Sequence, residues 1–266
     1  MVFRPIAPIR PSGTFPRSRR GRKKRSWIDR PMNLLALDTA TEACSAALLI
    51  GDQVIERNEI APRRHAELIL PMIESLLGEA GISRRQIDAI AVGRGPGAFT
   101  GVRLAISVAQ GLALGLDVPV VPVSSLAALA QDAPNGIDAP ILAVIDARMG
   151  EIYAGAFRRA SDGMVVAIGS ESVGPVSRLL VPQVTTGRAQ GWSVVGSGWL
   201  AYRDALSAQM PAPPAFADGE RFPRARAIAR LAAPQLAAGR GVAAEFALPV
   251  YLRDKVALTL EEQRAR

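Results

Sequence analysis

Along this chain the spacing of apolar residues switches repeatedly between two and about 3.6, and each switch marks an element. The runs 33–37, 44–50 and 53–60 read as strands; the first stops at Asp38, and Gly51-Asp52 is the turn joining the second to the third. From His65 to Ala80 the residues Leu68, Ile69, Met72, Ile73, Leu76 and Leu77 recur at helical spacing, and Gly81 supplies a stop. An apolar run over 87–92 is a further strand. A helix from Thr100 to about Leu116, a strand over 118–123 and a helix capped by Ser124 complete the order βββαβαβα.

The pattern then restarts. A strand over 141–145 again ends in an acid, Asp146, and strands over 152–157 and 164–168 follow across a turn at Asp162-Gly163. Val194-Val195-Gly196-Ser197-Gly198 echoes the strand-to-glycine transition at Ala91 to Gly95. Two copies of one βββαβα unit are predicted, with boundaries at 32–131 and 132–266. That arrangement resembles the actin-like ATPase superfamily, where paired ribonuclease-H-like domains enclose a cleft and the acid of the first strand faces a nucleotide's metal and phosphates.

The stretch Gly93-Arg94-Gly95-Pro96-Gly97-Ala98-Phe99-Thr100-Gly101-Val102-Arg103 joins a strand to a helix start, with Thr100 placed to cap the helix. Amides at such a start suit either an anion or a closely docked backbone, and the glycines could equally serve only to seat the helix on the sheet. The loop is neither a Walker loop, since no Gly-Lys-Ser/Thr follows, nor a dinucleotide fingerprint, since no acid ends a strand about twenty residues later. Asp38, Gly95, Gly97, Thr100 and Gly101 are the candidate cofactor-binding set. Asp38 and Asp146 could hold Mg²⁺ across a cleft or simply close turns at strand ends.

Charge changes the picture less than it first promises. The 266 residues carry a formal +8, but residues 1–31 hold ten Lys/Arg against Asp29 alone, leaving 22 basic and 23 acidic groups in the body. That proline-bearing segment lacks core-forming residues and is expected to be a disordered extension, either a start-site artefact ahead of Met32 or an arm attracted to RNA phosphates. No export signal follows its charges, and no apolar run approaches the roughly 20 residues of a membrane helix. The single cysteine, Cys44, excludes an internal disulfide, which makes the cytosol the expected compartment.

Read together, several motifs make a more specific match. They are Leu35-Ala36-Leu37-Asp38-Thr39-Ala40-Thr41, His65-Ala66-Glu67 with Leu70-Pro71-Met72-Ile73, and the loop Gly95 to Arg103. Asp146-Ala147-Arg148-Met149-Gly150-Glu151-Ile152-Tyr153 and Pro249-Val250-Tyr251-Leu252-Arg253 follow. In this order, over nearly all of residues 32–255, they resemble the TsaB family, the dimerization subunit of the bacterial tRNA threonylcarbamoyladenosine machinery. The resemblance implies a cytoplasmic partner protein that supports the catalytic paralogue TsaD in a heterodimer, with the ATPase TsaE completing the complex. It implies tRNA contact through the complex, a possible homodimer when the chain is alone, and no membrane. It also implies that this chain requires no cofactor of its own, ATP and Mg²⁺ acting in the complex.

TsaD carries a His-x-x-x-His metal pair on its first helix. Here His65 is the only histidine of the chain and the position four residues on is Ile69, so a histidine-based metal site is not available. His65 then reads as a helix-start or interface residue. Arg148 and Glu151 are either a family signature or an exposed ion pair. The favoured expectation is a non-catalytic scaffold that pairs through two helices, using His65, Leu68, Met72 and Leu76 with Leu104, Val108 and Leu112, although the same stripes could be core. The alternative is an ATP-dependent phosphotransferase or hydrolase working through Asp38, the glycine loop and Asp146.

Overall fold

A computed structural model of the chain describes residues 31–137, 139–182 and 191–253. The expected disordered extension therefore lies, but for Pro31, outside the described residues. β1 (Asn33–Asp38), β2 (Ala43–Ile50) and β3 (Gln53–Ile60) form the meander that the three runs and the Gly51-Asp52 turn predict. Ile50 pairs with Gln53 across a two-residue turn, where Gly51 takes φ +58, the left-handed backbone that such a hairpin requires. α1 (His65–Ala80) stops at a left-handed Gly81. Next come β4 (Ala89–Gly93), α2 (Phe99–Leu116), β5 (Val120–Val123) and α3 (Ser125–Gln131). The first sheet runs β3-β2-β1-β4-β5.

Of the two predicted caps, one holds. Ser124 closes the start of α3, its hydroxyl accepting from the Ala127 amide at 3.1 Å. Thr100 does not cap α2, because the N–H of Ala98 donates to the Ala40 carbonyl at 2.7 Å and the helix begins directly after it, leaving Thr100 exposed within the first turn.

The second half consists of β6 (Ile141–Arg148), β7 (Glu151–Arg159), β8 (Val165–Ala167), β9 (Ser172–Pro175), β10 (Ser193–Val195), α4 (Ser197–Gln209), β11 (Phe216–Asp218) and α5 (Ala225–Ala237). Its sheet, β8-β7-β6-β10-β11, repeats the strand order and pairing directions of the first. The fold is α/β, with two ribonuclease-H-like sheets. The copies are not identical. β9 is an added strand on β7, and among the described residues no α-helix separates β8 from β10, where α1 stands in the first copy.

α1 and α2 cover one face of the first sheet, packing on Leu35, Leu37, Leu48, Ile90 and Val92. The opposite face, with Leu34, Ala36 and Ala91, packs on α5, which comes from the far end of the chain. α3 in turn lies against β6, β7 and β8 of the second sheet. The two helices are thus exchanged between the sheets, and α4, through Trp199 and Leu206, closes the outer face of the second sheet over Leu142 and Val144. Two nearly buried carboxylates fasten this exchange. Glu56 accepts the Arg226 amide at 3.0 Å and pairs with Arg224, and Asp132 accepts the Arg226 guanidinium at 3.0 Å and that of Arg221 at 3.3 Å.

α2 has the length and composition of a membrane-crossing helix, longer in apolar character than the sequence reading allowed. Its Val102, Ala105, Ile106, Ala109 and Ala113 face is nevertheless buried on the sheet.

Candidate functional site

The glycine loop is filled by its own chain. A methyl group added at Gly97 would lie 2.3 Å from the Ala40 carbonyl oxygen, and one at Gly101 would lie 2.0 Å from that of Thr39. The Thr39 hydroxyl donates to the Gly101 carbonyl at 2.6 Å. Gly95, at φ +91, accepts the Ser125 amide at 2.9 Å, and the flanking Arg94 carbonyl accepts Val250 N–H at 2.8 Å. Of the two uses open to this loop, the geometry shows the closely docked backbone: the turn after β1, the start of α3 and the C-terminal segment all seat against it.

Asp38 lies beneath that contact with no exposed surface. One carboxylate oxygen accepts the Ala40 amide at 2.8 Å, the other accepts the Ser125 hydroxyl at 3.0 Å, and only a glycine at 93 leaves room for it. Burial pushes its carboxyl up to about 6, against the opposing pull of the Ala40 and Ser125 hydrogen bonds. Asp146 repeats the turn in the second copy, accepting the Arg148 amide at 2.8 Å as Asp38 accepts Ala40. Its carboxylate also accepts from the Tyr202 hydroxyl at 3.2 Å and the Arg148 guanidinium at 3.0 Å, and its own N–H donates to the Ser197 hydroxyl at 3.1 Å. Both acids thus close turns at strand ends. No group of three or more His, Cys, Asp or Glu able to hold a metal occurs among the described residues.

The other motifs gather at the same edge. Arg148, at φ +64 at the end of β6, reaches Glu42 of the first half at 2.7 Å. Arg253 donates to the Ala147 carbonyl at 3.0 Å and pairs with Glu151. The segment 249–253 therefore runs from the glycine loop to the second sheet. Nearby, Arg94 and the Ser124 hydroxyl attend Glu171, whose carboxyl is raised by burial. Residues 249–253 and Arg103 were legible as motifs, but nothing in their spacing predicted their mutual contacts.

The predicted helix faces divide. Leu76 is completely buried and Met72 nearly so, both packed under α1 in the core, which removes them from any surface the folded chain presents. The reason is register: α1 lies flat on β2, and 69, 72, 73, 76 and 77 all point at it. Leu68, Leu104, Val108 and Leu112 remain half-buried, beside exposed Thr100, Ser107 and Gly111. His65, half-buried at the start of α1, has its Nε2 at 2.8 Å from the Thr41 carbonyl, and its own carbonyl accepts the Cys44 thiol. Burial, with Asp38 and Glu59 adding to it, raises that thiol to about 11.

The chain is 43% identical over 233 residues to the tRNA threonylcarbamoyladenosine biosynthesis protein TsaB of Escherichia coli (strain K12), covering 85% of this chain and 96% of that one. It belongs to the TsaB family. The Bacillus subtilis TsaB protein is 36% identical over 128 residues, covering 48% of this chain and 56% of that one. A crystal structure of an uncharacterized Pseudomonas aeruginosa protein with similarity to peptidase YeaZ superposes with a TM-score of 0.76 at 48% identity, over 84% of this chain and all of that one. The family model described as TsaD, tRNA N6-adenosine threonylcarbamoyltransferase, matches residues 50–260. Membership of the TsaB family places the chain in threonylcarbamoyladenosine biosynthesis on tRNA and makes TsaD a related chain. In TsaB terms, the converging motifs are those that close the loop, the turn and the C-terminal segment upon one another.

Proposed function

We propose that this chain is a non-catalytic scaffold that pairs with TsaD and supports its transfer of a threonylcarbamoyl group to the adenosine beside the anticodon of tRNAs reading A-starting codons. The observation that carries this reading is the occupation of the glycine loop and Asp38 by the chain's own residues. In the actin-like superfamily that acid faces a nucleotide's metal and phosphates, and a loop serving an anion would keep its amides free for it. Here Ala40, Thr39 and Ser125 occupy them. The pairing surface is the outer side of α1 and α2, with His65, Leu68, Leu104, Val108 and Leu112. Each sheet acts as one domain, built from 32–131 and from 132–266 with α3 and α5 exchanged between them, TsaE joins the assembled pair, and the complex works in the cytoplasm with ATP and Mg²⁺ used outside this chain.

Reconstitution tests this. The purified chain with Mg-ATP, the threonylcarbamoyl-adenylate supplier and tRNA should make no modified adenosine, and a mixture with TsaD and TsaE should make it only when the chain is present. ATP turnover by the chain alone, abolished by Asp38→Asn, would instead support the phosphotransferase alternative.

A further inference from the structure

Arg103 is exposed at the second turn of α2, yet its guanidinium is not free to wander. It lies 3.8 Å from the centroid of the Phe99 ring and 5.7 Å from that of Tyr251, and its Nε–H donates to the Tyr251 hydroxyl at 2.7 Å. The two rings stand 5.4 Å apart. Arg103 and Tyr251 are 148 positions apart in the sequence, and the three side chains build no core, since Phe99 is 40% and Tyr251 45% exposed. A stack left this open contributes little to folding, about 0.5–1 kcal/mol for a cation over a ring at an exposed site. What it achieves is orientation.

The chemistry left over is specific. With Nε occupied, the guanidinium presents its two terminal nitrogens, which have no partner among the described residues. A phenol that accepts from Arg103 keeps its own O–H to donate, and among the described residues no acceptor takes it. A planar fork and a hydroxyl side by side, already ordered, match an oxyanion that binds through two oxygens.

We infer that Arg103 and Tyr251, braced by Phe99, form a recognition site for a carboxylate side chain of a protein partner. A protein rather than an RNA phosphate is favoured by the surroundings. Along 244–252 the only charged residue is Glu245, the adjoining Arg253 is turned inward to the Ala147 carbonyl and Glu151, and Phe246 and Leu248 are 62% and 60% exposed. An apolar, weakly acidic rim around one ordered Arg and two aromatics has the composition of an interface hot spot and lacks the basic flanks that track a nucleic-acid backbone. The inference rests on the scaffold reading and names the chemistry of that partner, TsaD.

The test measures the affinity of the full chain for TsaD by calorimetry at two salt concentrations, with tRNA binding and self-association measured in parallel. Arg103→Gln should weaken pairing at least about tenfold, the usual scale of a hot-spot truncation. Arg103→Lys should not restore it, because an ammonium has no fork, and Tyr251→Phe, which keeps the ring and its packing, should weaken it less but measurably. Circular dichroism should be unchanged in all three. Wild-type chain that pairs with TsaD while Arg103→Gln pairs equally well would overturn this site and leave the scaffold reading standing. Failure of the wild-type chain to pair at all would bring down both. Loss of tRNA binding or of self-association with TsaD affinity intact would reassign the fork to a phosphate or to a second copy, and the inference would be wrong.

Discussion

Asp38 shows how far one residue's chemistry can depart from its motif. A strand-end acid before a glycine loop suggests a metal site, but a carboxylate with no exposed surface and a carboxyl raised to about 6 is penalised for being ionised. Protonation is easier in the folded chain than in the unfolded one, so the stability this group brings is fully present below its ordinary pKa of 3.8 and is lost as pH rises through about 6. Asparagine keeps the acceptor for Ala40 N–H and can donate to Ser125. Asp38→Asn should therefore stabilise the chain against urea at pH 8 by about 1–3 kcal/mol, with the gain vanishing near pH 4. Destabilisation at pH 8 would mean that the ionised form is held by something other than these two donors. The glycines allow a second test at this scale. Gly97→Ala should cost about 1–3 kcal/mol, because its methyl meets the Ala40 carbonyl at 2.3 Å. Gly111→Ala, with nothing within 4 Å, should add up to about 1 kcal/mol of helix stability, and thermal melts of the pair compare them directly. Sequence showed that backbone freedom was needed in the loop. It did not show what approaches there, since the Ala40 carbonyl is far away along the chain.

Most elements were legible because their signals are local. Two apolar runs, the Gly51-Asp52 turn and an alternating third run gave the meander, and the stripe ending at Gly81 gave α1, each within about two residues. The misses need tertiary knowledge. Thr100 looked like a cap because its type suits one, whereas the contact of Ala98 with Ala40 fixes where α2 starts. β9 is a four-residue strand that exists only because β7 offers it an edge. Whether an apolar stripe faces core or partner was likewise open, because 3.6-residue spacing is the same for both. The helices now make opposite predictions. Leu76→Glu buries an unpaired charge under α1 and should lose several kcal/mol, enough to unfold a chain of ordinary stability. Leu104→Glu sits on the half-buried rim of α2 and should leave a folded chain that no longer pairs with TsaD. Circular dichroism beside size-exclusion chromatography separates the two, and an unfolded Leu104→Glu chain would move the pairing surface off α2.

At the scale of the whole molecule the repeat was readable from the echo of Asp38 in Asp146, but the way the copies interlock was not. α3 belongs to the first copy by sequence and packs on the second sheet, and α5 does the reverse. Two arginines span the same gap and should not matter equally. Arg148 reaches Glu42 with its side chain 71% exposed, where solvent screens the pair and holding a long side chain costs entropy. Arg253, 18% exposed, gives one hydrogen bond to the Ala147 carbonyl and pairs with Glu151, and its segment also ties Val250 to the glycine loop. Removing it leaves a partly buried carboxylate and a carbonyl without their donor. Arg148 also donates to Asp146, but that carboxylate keeps the Arg148 amide and the Tyr202 hydroxyl when the guanidinium is gone, so Arg148→Ala should change unfolding free energy by only about 0.5–1 kcal/mol, and less in high salt. Arg253→Ala should cost about 1.5–3 kcal/mol and respond little to salt, because the groups it leaves unpaired are partly buried. If denaturant titrations at low and high salt give both variants the same small cost, the C-terminal segment is not what holds the loop of the first copy to the hairpin of the second. The exchanged helices and the Glu56 and Asp132 ion pairs would then carry that coupling alone.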